Sequence, residues 1–360
     1  MKTIAWHRAD ARNLVGDQTL RQHWDALNQG PPELPFLSAA AVVAAIECFG
    51  QGTEQLVWAT TQGQVRFMAV LAAQGRWRWA TFQPSQIPLG CCVAGREWPL
   101  QTWAELLLKS GQLGWALALS FTQIDPLCCP KLADGASNFH EDYVHTAWLD
   151  IEGSFDEYWA GRGKNLRQNL RKQRNKLATD QVVPTIKFLQ LPEQIVPAIG
   201  RYGAMESLGW KSDQGTAIHP DNAQGRFYIR LLTEAAAQGQ ALITEYSFNE
   251  RPVAMNLGLM SGGVWVVLKT TYDETVGKAL SPSSLLREEE LQALFAGSLP
   301  VQRIEYYGRV MEWHTKLTDK QRALYHLTSY RWPWVKQLAQ RRRKHAPVAA
   351  QPPASAEAAN

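Results

Sequence analysis

At 360 residues the chain exceeds the roughly 250–300 at which single cores stop growing, so two packed units or one duplicated fold are expected. Hydrophobic residues make up 45% and charged residues 19%, the balance of a soluble globular protein; no stretch of about 18 uncharged apolar residues is present to span a bilayer, and the charged opening MKTIAWHRADARNLVGD lacks the apolar core of a secretory signal, which makes the cytoplasm the expected location. A net charge of +4 is too small to imply nucleic acid, and five cysteines without Cys-x-x-Cys spacing read as reduced, mostly buried thiols rather than a zinc site.

Residues 18–28 have helical patterning. QLVWAT (55–60) and VRFMAVLA (65–72) are apolar runs of strand length separated by Thr-Gln-Gly-Gln, the pattern of a β-hairpin. RWRWATF (76–82) alternates aromatic and basic residues, as a strand with one buried face does, and a helix follows at 100–109. Residues 1–150 therefore read as a mixed α/β unit. The fifteen tryptophans suit core packing, with sugar or lipid contact as the alternative.

From Ser154 the character changes. FDEYWAGRGKNLRQNLRKQRNKLA reads as one long helix with Leu166, Leu170 and Leu177 in its apolar seam. No acid lies between Glu157 and Asp180, while Arg162, Lys164, Arg167, Arg171, Lys172, Arg174 and Lys176 are basic. This is either a solvated face or a surface for an anionic partner: a nucleotide, a charged polymer, nucleic acid or lipid headgroups. Helices at 193–208 and 225–238 flank a turn-rich segment, 209–225. Three strands follow, 241–248, 253–260 and 264–271, with turn signals Asn-Glu-Arg-Pro and Ser-Gly-Gly that make them an antiparallel meander. A helix at 284–296 then crosses to a strand at 301–307, completing a βαβ unit. The second unit spans 151–345 and closes on Arg341-Arg342-Arg343-Lys344; the Ala/Pro-rich residues 346–360 read as a disordered tail.

Ser-Pro-Ser-Ser stands at the mouth of that last helix. The first N–H groups of a helix lack intrahelical partners and the dipole favours an anion, so a phosphate or pyrophosphate fits there. Ser281, Ser283 and Ser284 can cap the helix or donate hydroxyls, and Pro282 fixes one backbone angle. A simple well-capped helix is the alternative.

This succession of helices, meander, phosphate-competent turn, helix and strand resembles the GNAT superfamily of acyl-CoA N-acyltransferases. FDEYWAGRGKNLRQNLRKQRNKL, GWKSDQGTAI, YDETVGKALSPSSLL and IEYYGRVMEWHTKL are similar to blocks of its CelD-type branch, named for bacterial cellulose biosynthesis, and WATFQPSQIPLGCCVAG resembles the branch's N-terminal half more weakly. The branch is related to the Fem-type peptidoglycan aminoacyltransferases. The resemblance implies an α/β fold with a mixed sheet, made of two tandem GNAT-like units: a degenerate one over 1–150 and the acyltransferase unit over 151–345. It further implies a last strand splayed from its neighbour, with acyl-CoA in the gap and its pyrophosphate on the helix N-terminus. Acetyl-CoA or another acyl-CoA is then the co-substrate, no cofactor is permanently bound, and the acceptor is an amine or hydroxyl of a cell-envelope saccharide or its precursor. The family's turn usually reads Ser-Pro-Gly, whereas Ser283 stands at the glycine here.

Acyl transfer from a thioester needs a deprotonated nucleophile, a polarised carbonyl and a proton for the departing thiolate. Glu206 and Glu305 are the candidate bases. Glu305 serves only if its face of the strand looks into the splay, since Ile304 and Tyr306 take the opposite face. Tyr272, just before the phosphate turn, is placed to protonate a thiolate, or is a structural tyrosine. Ser281, Ser283, Ser284 and Lys316 are the expected donor-binding residues, and Lys211, Arg167 and Arg171 the expected acceptor-side ones, with Lys269 ranked behind Lys211 and Lys316. His219 and His314 have no recognisable partner, and no motif suggests a metal. Two other readings stand beside the enzyme: a non-catalytic scaffold whose basic helix and Arg-rich end bind anionic polymer or a membrane surface, and an aminoacyl-tRNA-dependent Fem-like ligase that meets RNA phosphates through that helix.

Overall fold

A computed structural model describes residues 4–30, 32–208, 218–277 and 279–345, with side chains through 342. The first half runs β1 (Ile4–Asp10), α1 (Asn13–Gly16), α2 (Gln18–Asn28), α3 (Ala39–Phe49), β2 (Gln55–Thr61), β3 (Gln64–Ala73), β4 (Arg78–Thr81), β5 (Cys92–Ala94), α4 (Leu100–Lys109), β6 (Ala118–Ile124) and β7 (Asn138–Asp150). The second runs α5 (Phe155–Ala160), α6 (Lys164–Thr179), β8 (Pro184–Leu189), α7 (Pro192–Glu206), α8 (Ala223–Ala237), β9 (Ala241–Phe248), β10 (Arg251–Ser261), β11 (Val264–Tyr272), α9 (Pro282–Phe295), β12 (Arg303–Tyr306), α10 (Glu312–Leu317), β13 (Gln321–Tyr330) and α11 (Pro333–His345).

One strand order is written twice in a single mixed sheet, β1-β2-β3-β4-β6-β13-β7-β12-β11-β10-β9-β8, with β5 off this path against β3. In each half four antiparallel strands lead through a helix to a parallel neighbour: β4 to β6 through α4, and β11 to β12 through α9. The halves exchange their last strands, since β13 pairs with β6 and β7 with β12. The fold is thus α/β with a mixed sheet and two GNAT-like units.

One apolar core runs under both halves on one face, joining Trp24 and Val42 to Tyr202, Phe227 and Leu257. On the other face α4 packs Trp103 and Leu107 over the first half, while α5, α6 and α9 cover the second. Buried charge also ties the halves together. Arg322 of β13 donates to Asp125 from both Nε (2.9 Å to Oδ1) and Nη2 (2.6 Å to Oδ2), and its Nη2 lies 2.9 Å from Glu305. Tyr307 adds a hydroxyl donor to Asp125 at 3.0 Å. All five cysteines are free, and burial pushes the Cys91 and Cys92 thiols upward.

The single long helix expected from Ser154 is two helices. Ser154 caps α5 in a reciprocal box with Glu157, and Gly161-Arg162-Gly163 ends it, with Gly161 at the C-cap of α5 and Gly163 at the N-cap of α6. The break matters because this loop faces the cavity described next. The strands β1, β6, β7, β8 and β13 and the helices α3 and α11 have no counterpart in the sequence reading. Residues 346–360, read there as a disordered tail, lie outside the described residues.

Candidate active site

β11 and β12 pair over three positions only, Val264 with Arg303, Trp265 with Ile304 and Val266 with Glu305. β11 then continues to Tyr272, whereas β12 ends at Tyr306. The edge of β11 beyond Val266 therefore has no strand partner among the described residues, and a cavity of about 690 Å³ opens beside it. Thr270, Thr271 and Tyr272 form one wall; Met205 and Glu206 at the end of α7 form another; Ser281, Ser283, Ser284 and Arg287 come from α9. Gly161 to Gly163 with the start of α6, and Trp313 and Lys316 of α10, close the remainder.

The α9 end of the cavity gathers serine hydroxyls, a helix N-terminus and a guanidinium. Ser281 occupies the N-cap position without capping through its side chain; its Oγ pairs instead with Ser284 Oγ at 2.9 Å, and its N–H donates to Gln173 Oε1 at 2.7 Å. Pro282 has no N–H, and the N–H groups of Ser284 and Leu285 turn back to Ser281 O at 3.0 and 3.1 Å. The first turn leaves over the N–H of Ser283. One turn further, Arg287 lines the same space at helical spacing from Ser283 and Ser284. Its guanidinium lies 3.6 Å from the Trp313 ring centroid, burial holds it below the usual arginine range, and no described carboxylate pairs with it. Ser283, which stands where the resemblance implies glycine, lines the cavity.

At the other end Glu206 is buried. Its Oε2 accepts the Ile218 N–H at 2.8 Å, and its Oε1 is 3.4 Å from Lys269 Nζ, which also reaches Gln224 Oε1 at 3.5 Å. Lys269 thus supplies the countercharge a buried carboxylate requires. The rim mixes charges: Glu312 pairs with Lys316 at 3.0 Å and Asp319 with Arg162 at 3.9 Å, while Glu274 has no ion pair among the described residues.

Of the residues expected from the sequence to bind or catalyse, six line this cavity: Glu206, Tyr272, Ser281, Ser283, Ser284 and Lys316. Glu305 does not. It is buried outside the cavity against Arg322 and Arg303, and burial raises its carboxyl to about 7. Arg167 and Arg171 are on the exposed face of α6, away from the lining. Lys211 lies outside the described residues. His314 is buried beneath Trp313, with ring centroids 3.5 Å apart; its Nδ1 accepts the Met311 N–H, and burial with Arg287 nearby pushes it down to about 3. His219 is exposed next to Asp221. Arg287 and the pairing of Glu206 with Lys269 escaped the sequence reading, which had Arg162 only within the basic run and Lys269 as a lower-ranked phosphate or acceptor binder. For Arg287 a signal existed, since i+3 and i+4 from the two serines share a helix face; for Lys269 nothing local marks its reach to a glutamate 63 residues away.

This arrangement of splayed strands over a helix N-terminus defines an acyltransferase-like fold of the GNAT type, and the comparisons agree: residues 164–315 match the acetyltransferase (GNAT) domain family. The fold is shared with FemX (TM-score 0.52, 9% identity, 89% of this chain and 97% of that one) and with the C-terminal domain of a protein assigned as a lysylphosphatidylglycerol synthetase from Agrobacterium fabrum (TM-score 0.51, 13% identity, 84% and 91%). A conserved protein of unknown function from Bacteroides thetaiotaomicron is similarly related (TM-score 0.53, 12% identity, 92% and 99%). No curated protein matches in sequence.

Proposed function

We propose that the chain transfers an acyl group, acetyl by preference, from CoA to an amine acceptor in the cavity between β11 and β12. The observation that carries this reading is the joining of a helix N-terminus without a side-chain cap and an arginine that makes no close ion pair among the described residues, at one end of the cavity, to a buried, lysine-paired glutamate at the other. The pyrophosphate takes the Ser283 N–H, the serine hydroxyls and Arg287. The acyl thioester lies along the unpaired edge of β11, whose backbone N–H groups polarise its carbonyl. Glu206 removes the proton as the acceptor nitrogen attacks, the new C–N bond forms, the C–S bond breaks, and Tyr272 returns a proton to the thiolate. Glu274, exposed on the rim and outside any ion pair among the described residues, attracts a cationic amine in preference to a hydroxyl.

A cell-envelope saccharide or its precursor as acceptor, and membership in the CelD-type branch, rest on the four similar sequence blocks. Residues 1–150 form a degenerate unit in this reading, for reasons of packing taken up below. One observation favours a second donor: Lys164, Arg167, Arg171 and Lys172 are exposed on α6, whose Asn165 and Asn169 line the cavity, so the acceptor stem of an aminoacyl-tRNA can lie along that helix. Calorimetric titration with CoA, acetyl-CoA and tRNA separates the readings. Micromolar CoA binding, weakened tenfold or more in Ser283→Asp, is expected. Absence of CoA binding with salt-sensitive tRNA binding transfers the role to the second donor, and neither binding leaves the scaffold.

A further inference from the structure

Three segments distant in sequence meet at one end of the sheet, where β4 and β6 begin and β13 ends. Leu117 N–H donates to Trp77 O at 2.7 Å, Arg331 N–H to Leu117 O at 2.9 Å, and the Arg331 guanidinium to Ala116 O and Gly114 O at 2.7 and 2.6 Å. These backbone contacts bring together four tryptophans that stay out of every core: Trp115 is 73% exposed, Trp334 57%, Trp77 43% and Trp332 37%. Trp332 and Trp334 stack, with ring centroids 5.7 Å apart and planes 10° from parallel. α11 leaves from this point with two different sides. Val335 and Ala339 pack on Ala118 and Tyr330, while Trp334, Leu338, Arg341 and Arg342 recur at helical spacing on the exposed side.

The surroundings are one-signed. Residues 74–79, 109–119 and 330–342 contain seven lysines and arginines and no aspartate or glutamate. The flanking Asp134, which accepts the His140 N–H at 2.8 Å, reaches only Lys336 among these cations, at 3.9 Å. Exposed indoles mixed with exposed cations such as Arg76, Arg341 and Arg342, which make no ion pair among the described residues, suit a phospholipid surface, where tryptophan settles at the headgroup boundary and lysine and arginine meet anionic phosphates. A second copy of this chain fits poorly, because a two-fold contact sets the same cations against one another.

We propose that this end of the sheet, with α11, docks the protein on an anionic lipid bilayer. The proposal is independent of the acyl-transfer reading, since none of these residues lines the cavity. The test is co-sedimentation of the full chain with phosphatidylcholine vesicles, with and without phosphatidylglycerol, at about 0.1 M and 0.5 M salt. Binding to the anionic vesicles alone is expected, with a blue shift of tryptophan emission and release at high salt. Trp332→Ser with Trp334→Ser, and separately Arg341→Glu with Arg342→Glu, lower partitioning roughly tenfold at unchanged thermal midpoint. Three results overturn the proposal: no binding to anionic vesicles, binding that ignores these variants and disappears on neutralising Lys164, Arg167, Arg171 and Lys172, or variants that change self-association in ultracentrifugation instead.

Discussion

The two halves repeat one topology and differ in what stands between the parting strands. In each, helix-linked parallel strands pair over three positions, Arg78 to Ala80 in β4 and Val264 to Val266 in β11. In the first half the opening is then shut. Thr81 Oγ1 and Thr122 Oγ1 bond at 2.7 Å, Thr122 N–H reaches Thr81 Oγ1 at 3.0 Å, and Gly90 inserts beside them with its N–H on Thr122 O at 3.0 Å. A void of about 50 Å³ is left where the second half keeps about 690 Å³. The helices differ in the same sense. α4 buries only Leu100, Trp103, Ala104, Leu107 and Leu108, whereas α9 also buries Glu288 and Glu290 and sends Arg287 to the cavity. A duplicated fold has thus put stability into one copy and an unfilled, charged opening into the other.

The largest effect that sharpens this contrast comes from Glu206→Gln, which retains an acceptor for the Ile218 N–H and removes the base. Acyl transfer, followed by thiol release, falls about a hundredfold or more while CoA still binds in calorimetry. Equal loss of binding and rate breaks the assignment of Glu206 to chemistry. Next, Arg287→Gln removes one charge-assisted contact to the donor phosphates and raises the CoA Kd about tenfold to a hundredfold. A thermal midpoint near that of the wild type separates this from disturbance of Trp313.

A third substitution addresses the closed half. A Cβ at Gly90 meets Thr81 Oγ1 at 2.4 Å and Thr122 O at 2.6 Å, so Gly90→Val pries the plug apart. Overpacking of this kind costs about 1–3 kcal/mol, which scanning calorimetry reads as a lower midpoint of unfolding. Donor affinity stays unchanged if only the second half binds CoA. A matching loss of affinity places the donor in the first half and removes the contrast.

Much of the second half was legible because its signals are local. The β-branched runs, the Gly-Gly turn and Ser-Pro-Ser-Ser each act over a few residues, and they located β9 to β11, α9 and the helix mouth where the structure has them. The exchanged strands were not, since charges that hold β7 and β13 in place are satisfied by distant partners, Asp150 by Arg303 153 residues away and Arg322 by Asp125 197 residues away. The face of Glu305 depends on that same exchange, which is why strand alternation alone left it open. The Gly-Arg-Gly break between α5 and α6 was visible in the letters and was outweighed by the leucine spacing on either side.

The smallest effect concerns Glu290, one of the two carboxylates that α9 buries where α4 buries only apolar side chains. Asn256 Nδ2 donates to it at 2.6 Å, and the Thr244 hydroxyl donates as well. Burial nevertheless prevails over these contacts and raises its carboxyl from 4.5 to about 7. Between those values the unfolded chain has released the proton and the folded one retains it, so the folded state binds more protons and stability falls as pH rises. The contribution is whole below about 4.5, is lost on the way to about 7, and is level above that. Glu290→Gln keeps an acceptor for both donors and never ionises. Its midpoint of thermal unfolding therefore runs level with the wild type near pH 4.5 and rises above it by a margin that widens until about pH 7. Glu305, raised in the same direction, is present in both proteins and cancels in the difference. A constant margin across that range means the carboxylate ionises freely in the folded protein, and the polar seam of α9 is then no less stable than the apolar seam of α4.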